Sequence, residues 1–304
     1  MSNQGQQETW ALLSEKVQAQ SWPASCLYVV ATPIGNLGDL SLRAWQTLLR
    51  CDIIAAEDTR ASRQLLQAWG VATPLMAAHR HNEAAAAQAI IERLHQGERV
   101  ALVSDAGAPA VSDPGARIVR AVRDAGFQVV PIPGASAVIT ALMGSGATSD
   151  ENPAFCFAGF APSKAQARRK WLQQWAQQSM PVLFFESPHR VLDTAQDLAL
   201  VCADRQVTIA RELSKRFEQI HTLAADQVVE WLQADSHRQQ GEFVLILHPA
   251  TPSALDDEDI PADTQAWMRA LLEHMSVRDA ARLASKVSGI SRDVLYNWAL
   301  AQKA

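Results

Sequence analysis

From residue 27 onward, short aliphatic runs ending in Gly, Pro, Asp or Ser alternate with stretches whose apolar residues recur at helical spacing, the pattern of packed α/β layers. The runs 27–32 (LYVVAT), 52–57 (DIIAAE), 99–104 (RVALVS) and 127–132 (FQVVPI) are predicted strands. Helices are predicted to start between them near Leu40, Ser62, Glu83 and Gly115, the last behind a Ser-Asp-Pro start signal. Gly, Ser, Asp and Pro then cluster at 144–153 (GSGATSDENP), which reads as a linker. Beyond it, 154–160, 181–187, 206–212, 217–223 and 242–248 are predicted strands of a second, mixed sheet, with helices near 164–178 and 188–202. The division is an N-terminal α/β domain at 27–145 and a C-terminal one at 152–249, preceded by a polar, glutamine-rich appendage at 1–26.

An acidic, Pro-punctuated linker follows at 251–263, and the segment 262–304 shows helical periodicity only. Ser276 and Ser291 are expected N-caps there, and Ser-Gly-Ile-Ser at 288–291 is the short turn of a helix-turn-helix. The segment carries six Lys or Arg against four Asp or Glu. That excess fits either RNA docking or packing on a second copy.

Composition narrows the function. A chain of 304 residues with 48% hydrophobic residues, 19% charged residues and a net charge of −5 is a folded globular protein, not one that coats nucleic acid through a dominant basic surface. Local basic stretches remain: Lys164, Arg168, Arg169 and Lys170 in SKAQARRK, and Arg211, Lys215 and Arg216 in ARELSKR, each readable as a solvated face or as a phosphate footprint. The four cysteines form no CxxC pair, and His79, Arg80 and His81 have no spaced carboxylate partner, so no metal is expected. With no apolar run long enough to span a bilayer and no secretory pattern at the start, a soluble cytoplasmic protein is expected.

Three loops leave predicted strands and enter predicted helices: ATPIGNLGD at 31–39, SDAGAPAVSDPG at 104–115 and PIPGASA at 131–137. Each alone is readable as a structural turn, and the first is neither a Walker A loop nor GxGxxG. At successive strand ends the three together can line one pocket, where small residues let backbone amides approach an anion.

LYVVATPIGNLGDLSLRA, AAEDTR, VALVSDAGAP with SDPG, PGASA, ESPHR, ARELSK and GEFVLI together resemble the tetrapyrrole-methylase superfamily, in particular its branch acting on a cytidine ribose 2′-hydroxyl of small-subunit (16S) ribosomal RNA. The match runs from about Leu27 to His248, and more weakly into the final helices. Ala108 stands where the family usually has Thr, and Ala135 where it often has Pro. The resemblance implies two α/β domains meeting at a cleft, a homodimer, and S-adenosylmethionine as cofactor. The pocket it implies takes Pro33, Ile34 and Gly35 from the first loop and Asp105, Ala106, Gly107 and Pro109 from the second. Pro133, Gly134, Ala135 and Ser136 follow from the third, with Arg211, Glu212, Leu213, Glu242 and Val244 closing from the second domain.

Methylating an alcohol calls for positioning and a base. Glu57, Asp58, Glu186, His189 and Glu212 are candidates for the base, and each is also readable as a helix cap or ion-pair partner. Lys164, Arg168, Arg169 and Lys170 are the expected RNA contacts. Two other functions fit the same fold: methylation of a tetrapyrrole, and a non-catalytic role in ribosome assembly.

Overall fold

The computed structural model describes residues 3–249 and 260–301. Residues up to Pro249 pack as one unit and the remainder as a second. In the first, β1 (Cys26–Val30), β2 (Ile53–Ala56), β3 (Leu75–Ala77), β4 (Arg99–Val103) and β5 (Gln128–Ile132) form a parallel sheet in the order β3-β2-β4-β1-β5. Its central strands are buried on both faces, which is why they read as continuous aliphatic runs such as IIAA. One face packs on α2 (Leu42–Arg50) and α3 (Thr59–Ala68), the other on α4 (Glu83–His95) and α5 (Ala116–Asp124). The edge strand β3 went unpredicted because three half-exposed residues behind Pro74 carry no periodic signal. The N-terminal appendage contains a helix, α1 (Asn3–Gln18), that lies against α2.

The second sheet contains β6 (Cys156–Phe160), β7 (Val182–Glu186), β8 (Gln206–Arg211), β9 (Gln219–Ala224) and β10 (Phe243–Leu247), in the order β6-β7-β10-β8-β9. Only the β6–β7 pair is parallel, so the sheet is mixed as expected. On one face lie α7 (Ala165–Trp175), α8 (Val191–Val201) and α9 (Val228–Gln233), around Leu172, Phe184, Leu198 and Leu245. The opposite face receives α6 (Ala137–Ser145), which follows β5 of the first sheet. Val138 and Ala141 of α6 share a cluster with Ile34, Leu213, Val244 and Ile246, so the two sheets are joined through a common core.

In the second unit, α10 (Ala262–Leu272), α11 (Val277–Ser288) and α12 (Arg292–Ala301) surround Met268, Ala280, Ala284, Leu295 and Trp298. Ser276 caps α11 by accepting from the Asp279 amide, and Gly289 ends it in the left-handed conformation. The Ser291 hydroxyl accepts from the Asp293 amide at the start of α12. Of the acidic linker predicted at 251–263, residues 251–259 lie outside the described residues.

Candidate active site

A cavity of about 440 Å³ opens between the sheets. Its first wall is made of loops leaving the carboxyl ends of β1, β2, β4 and β5, where ligands of parallel sheets collect. Thr32 and Gly107 exchange two backbone hydrogen bonds, at 2.8 and 3.1 Å, which fasten the first loop to the second. Gly107 has φ +79°, and an added Cβ would lie 3.3 Å from Ile34 Cγ2, so glycine alone fits without strain. Four of the five non-glycine residues with positive φ among the described residues sit in loops beside the cavity: Ala110, Ser112, Glu212 and Ser214. Backbone held in such sparsely populated conformations is a mark of functional loops.

Of the residues expected to hold a cofactor, Ile34, Asp105, Ala106, Gly107, Ser136, Leu213, Glu242 and Val244 line the cavity. Pro33, Pro109, Pro133, Gly134 and Ala135 are not part of that lining but shape the loops that carry it. Gly134 shows how: an added Cβ would meet Ala31 Cβ at 3.0 Å. Gly35 is exposed and outside the lining, and an added Cβ there would run into the Lys215 methylenes. Two expectations are corrected. Arg211 is buried and faces away from the cavity: its guanidinium donates to the carbonyls of His237 (2.7 Å) and Gln240 (2.9 Å) and to Gln219 Oε1 (2.8 Å), a clamp on backbone. Glu212 is held outside the lining by Lys215 Nζ (2.9 Å) and the Glu242 amide (3.0 Å). Burial alone would raise its pKa, but these bonds and the nearby cations bring it below the usual carboxylate range.

The candidate bases separate by their partners. Asp58 caps α3, accepting from the Arg60 amide at 2.7 Å, and that bond lowers its pKa. Glu186 reaches the cavity wall, but its oxygens are taken by Arg190 (2.7 Å), the Ser187 amide (2.7 Å) and the Thr194 hydroxyl (2.6 Å), so it fastens the start of α8. His189 is exposed and does not line the cavity. Glu57 lines it, half-buried, and no hydrogen bond or ion pair from the described residues engages its carboxylate. Burial, reinforced by the carboxylates of Asp105 and Asp113 and opposed by Arg80, holds the Glu57 pKa above the usual carboxylate range.

Sequence reasoning missed Asp113, whose pKa is raised by burial and by Asp105 against a hydrogen bond from Ser104, and the apolar lining residues Val111, Phe160, Phe185 and Phe243. Asp113 lay within the quoted SDPG but read there only as part of a helix start. The basic stretch also needs correction. Arg168 is buried against the equally buried Asp197 at 2.7 Å, so it cannot contact RNA, and Arg169 shares the same carboxylate at 2.6 Å. Lys164 and Lys170 remain exposed.

A parallel sheet joined to a mixed sheet across a cavity with glycine-shaped loops defines the class: residues 26–228 match the model of the Tetrapyrrole (Corrin/Porphyrin) Methylases, and residues 258–303 that of the RsmI C-terminal HTH domain. Cobalt precorrin-4 methyltransferase has the same fold at TM-score 0.55 and 14% identity, over 74% of this chain and 95% of its own. Uroporphyrin-III C-methyltransferase from Thermus thermophilus, solved with S-adenosylhomocysteine, scores 0.52 at 15% identity, over 73% and 96%. Proteins named ribosomal RNA small subunit methyltransferase I are 43% identical in Haemophilus influenzae (90% of this chain, 96% of the relative) and 42% in Escherichia coli O157:H7 (91% and 95%). The one from Xylella fastidiosa is 45% identical, over 89% and 97%. The chain belongs to the ribosomal RNA small subunit methyltransferase I family.

Proposed function

We propose that this protein transfers a methyl group from S-adenosylmethionine to the ribose 2′-hydroxyl of a cytidine in small-subunit ribosomal RNA, with Glu57 as the base. The observation that carries the reading is the Glu57 carboxylate, unengaged and raised in pKa, in the wall of a cavity between two sheets. The residues present fit the cofactor. The Ser136 side chain makes no capping bond, so the first amides of α6 lack a side-chain cap where Ser136, Ala137 and Val138 line the cavity, an environment suited to a carboxylate. Ile34, Leu213 and Val244 supply apolar wall, and the volume lies within the usual range for small-ligand sites. The Ser214 hydroxyl is buried beside Leu213 with no hydrogen-bond partner among the described residues.

The cofactor brings a methyl on a sulfonium, a good leaving group, so the protein's share is to position the alcohol and take its proton. Glu57 accepts that proton, because a carboxylate with a raised pKa is a stronger base than an exposed one. Tetrapyrrole methylation is disfavoured by the curated relatives, which are 42–45% identical over about nine-tenths of the chain and carry the ribosomal name.

The protein acts in the cytoplasm as a homodimer. Ile139 and Met143, four residues apart on α6 and exposed, offer an apolar face for a second copy, and no helix of the described residues is long and apolar enough to cross a membrane. Isolated small subunits lacking the modification, incubated with protein and methyl-labelled cofactor and digested to nucleosides, are expected to yield 2′-O-methylcytidine. Label on a base, or none, would overturn the proposal.

A further inference from the structure

The register of the second sheet slips once. Phe157 pairs with Leu183, but the next β7 position on that face, Phe185, pairs with Phe160, so β6 spends three residues where β7 spends two. The extra residue is a β-bulge, and Gly159, at φ +73°, supplies the backbone it requires. A one-residue slip moves a side chain to the other face of a sheet. With regular pairing Phe160 would join Ala158 on the face covered by α7 and α8. The bulge instead sets it beside Phe157 and Phe185, with ring centroids of 4.9 Å (Phe157–Phe185) and 5.2 Å (Phe160–Phe185), on the face that meets α6 and the cavity.

What results is an aromatic side chain that the fold does not bury. Phe160 lines the cavity yet is 56% exposed, whereas Phe157 and Phe185 behind it are largely covered. Val111, 43% exposed, lines the same cavity, and the loop that carries it touches the bulge, since a Cβ at Gly159 would lie 3.4 Å from Ser112 Oγ. A large apolar side chain aimed at solvent by an irregularity at a cavity does not serve the core.

We propose that Phe160 is the platform on which the base of the target nucleotide stacks while its ribose reaches Glu57. The inference rests on the RNA-methylating reading above. Glu57 is half-buried between the sheets, where a nucleotide kept within an RNA helix cannot place its ribose. The substrate nucleotide must therefore leave its stack, and the lost base–base contact is replaced where an aromatic face is free. Phe157 and Phe185, edge-on to one another, hold that face in place from behind.

The test compares Phe160→Ala, Phe160→Leu and Phe160→Trp in methyl transfer to small subunits, with cofactor affinity and oligomeric state measured alongside. Phe160→Ala and Phe160→Leu are expected to lose about ten- to a hundredfold in kcat/KM, the usual worth of one stacked base, at unchanged cofactor affinity, whereas Phe160→Trp retains activity. Leu keeps the apolar bulk without the ring face, and the exposed position leaves the fold intact. Wild-type rates in Phe160→Ala or Phe160→Leu overturn the stacking role alone. Weakened cofactor binding assigns the ring to the cofactor, and a changed oligomeric state assigns it to a subunit contact; either also overturns it. A wild-type protein that transfers no methyl overturns the RNA reading together with this one.

Discussion

The two walls of the cavity are built by different means. The first-sheet wall is largely backbone and small side chains: Ala106, Gly107, Ala108, Ser136 and Ala137 follow parallel strands, and the loops are fastened to each other through Thr32 and Gly107. On the second-sheet wall, built from Phe160, Phe185, Leu213, Phe243 and Val244, the charged groups are already committed: Glu186 to Arg190 and Glu242 to Lys215. A backbone wall recognises a ligand by shape and amide direction and suits a cofactor of fixed structure. A side-chain wall with one exposed aromatic suits a substrate nucleotide. The free acid, Glu57, stands on the backbone side, with Asp105 and Asp113 beside it.

The sharpest way to break this division is Glu57→Gln. It should lower kcat by ~10²–10⁴-fold while cofactor affinity holds, as for loss of a general base. The rate of the wild type should fall as pH drops through the raised Glu57 pKa, above the usual carboxylate range, and the variant should lose that limb. The same raised pKa makes the ionised group a cost to the fold. That cost is absent below the unfolded-state pKa and complete once pH has risen past the folded-state one. Glu57→Gln should therefore melt slightly higher than wild type at neutral pH and equally in acid; a base role is contradicted by an unchanged kcat.

Beneath the second wall, Arg168→Ala leaves Asp197 buried with only the half-exposed Arg169. A loss of about 3–5 kcal/mol in urea unfolding is expected. Lys170→Glu, on the exposed side of the same helix, should stay within about 0.5 kcal/mol of wild type. Equal stability of the two variants would refute the structural assignment of Arg168. On the first wall, Gly107→Arg should weaken cofactor binding by about a hundredfold in calorimetry, through its positive φ and its contact with Ile34. An unchanged affinity in the folded variant would remove that loop from the site. A smaller effect on function is expected outside both walls: deleting residues 252–304 should raise KM for the small subunit by about tenfold without altering cofactor affinity, if the helical module adds a second attachment. Arg278, Arg282 and Lys286, four apart and exposed on α11, are the groups through which it would do so.

The same contrast decides what was legible in the sequence. Loops made of Gly, Pro and small residues at strand ends declare themselves, because those residue types are needed for the backbone they adopt; hence Ile34, Asp105, Gly107 and Ser136, which line the cavity, were legible as pocket residues. Side-chain partnerships across the chain do not declare themselves. Nothing near Arg168 in sequence announces Asp197, and Arg211 looks like a site cation until the carbonyls of His237 and Gln240 are seen to surround it. The bulge had a signal that went unread: in AFCFAGF the phenylalanines keep a spacing of two until Gly159 and then shift by one. Strand β3 and helix α9 were too short to show a period.

The central claim, methylation of a cytidine ribose in the small subunit, is tested most directly by nucleoside mass spectrometry of ribosomal RNA from cells lacking this protein. The account predicts that one 2′-O-methylcytidine disappears from the small-subunit RNA and returns when the wild type, but not Glu57→Gln, is restored. An unchanged nucleoside profile would contradict it.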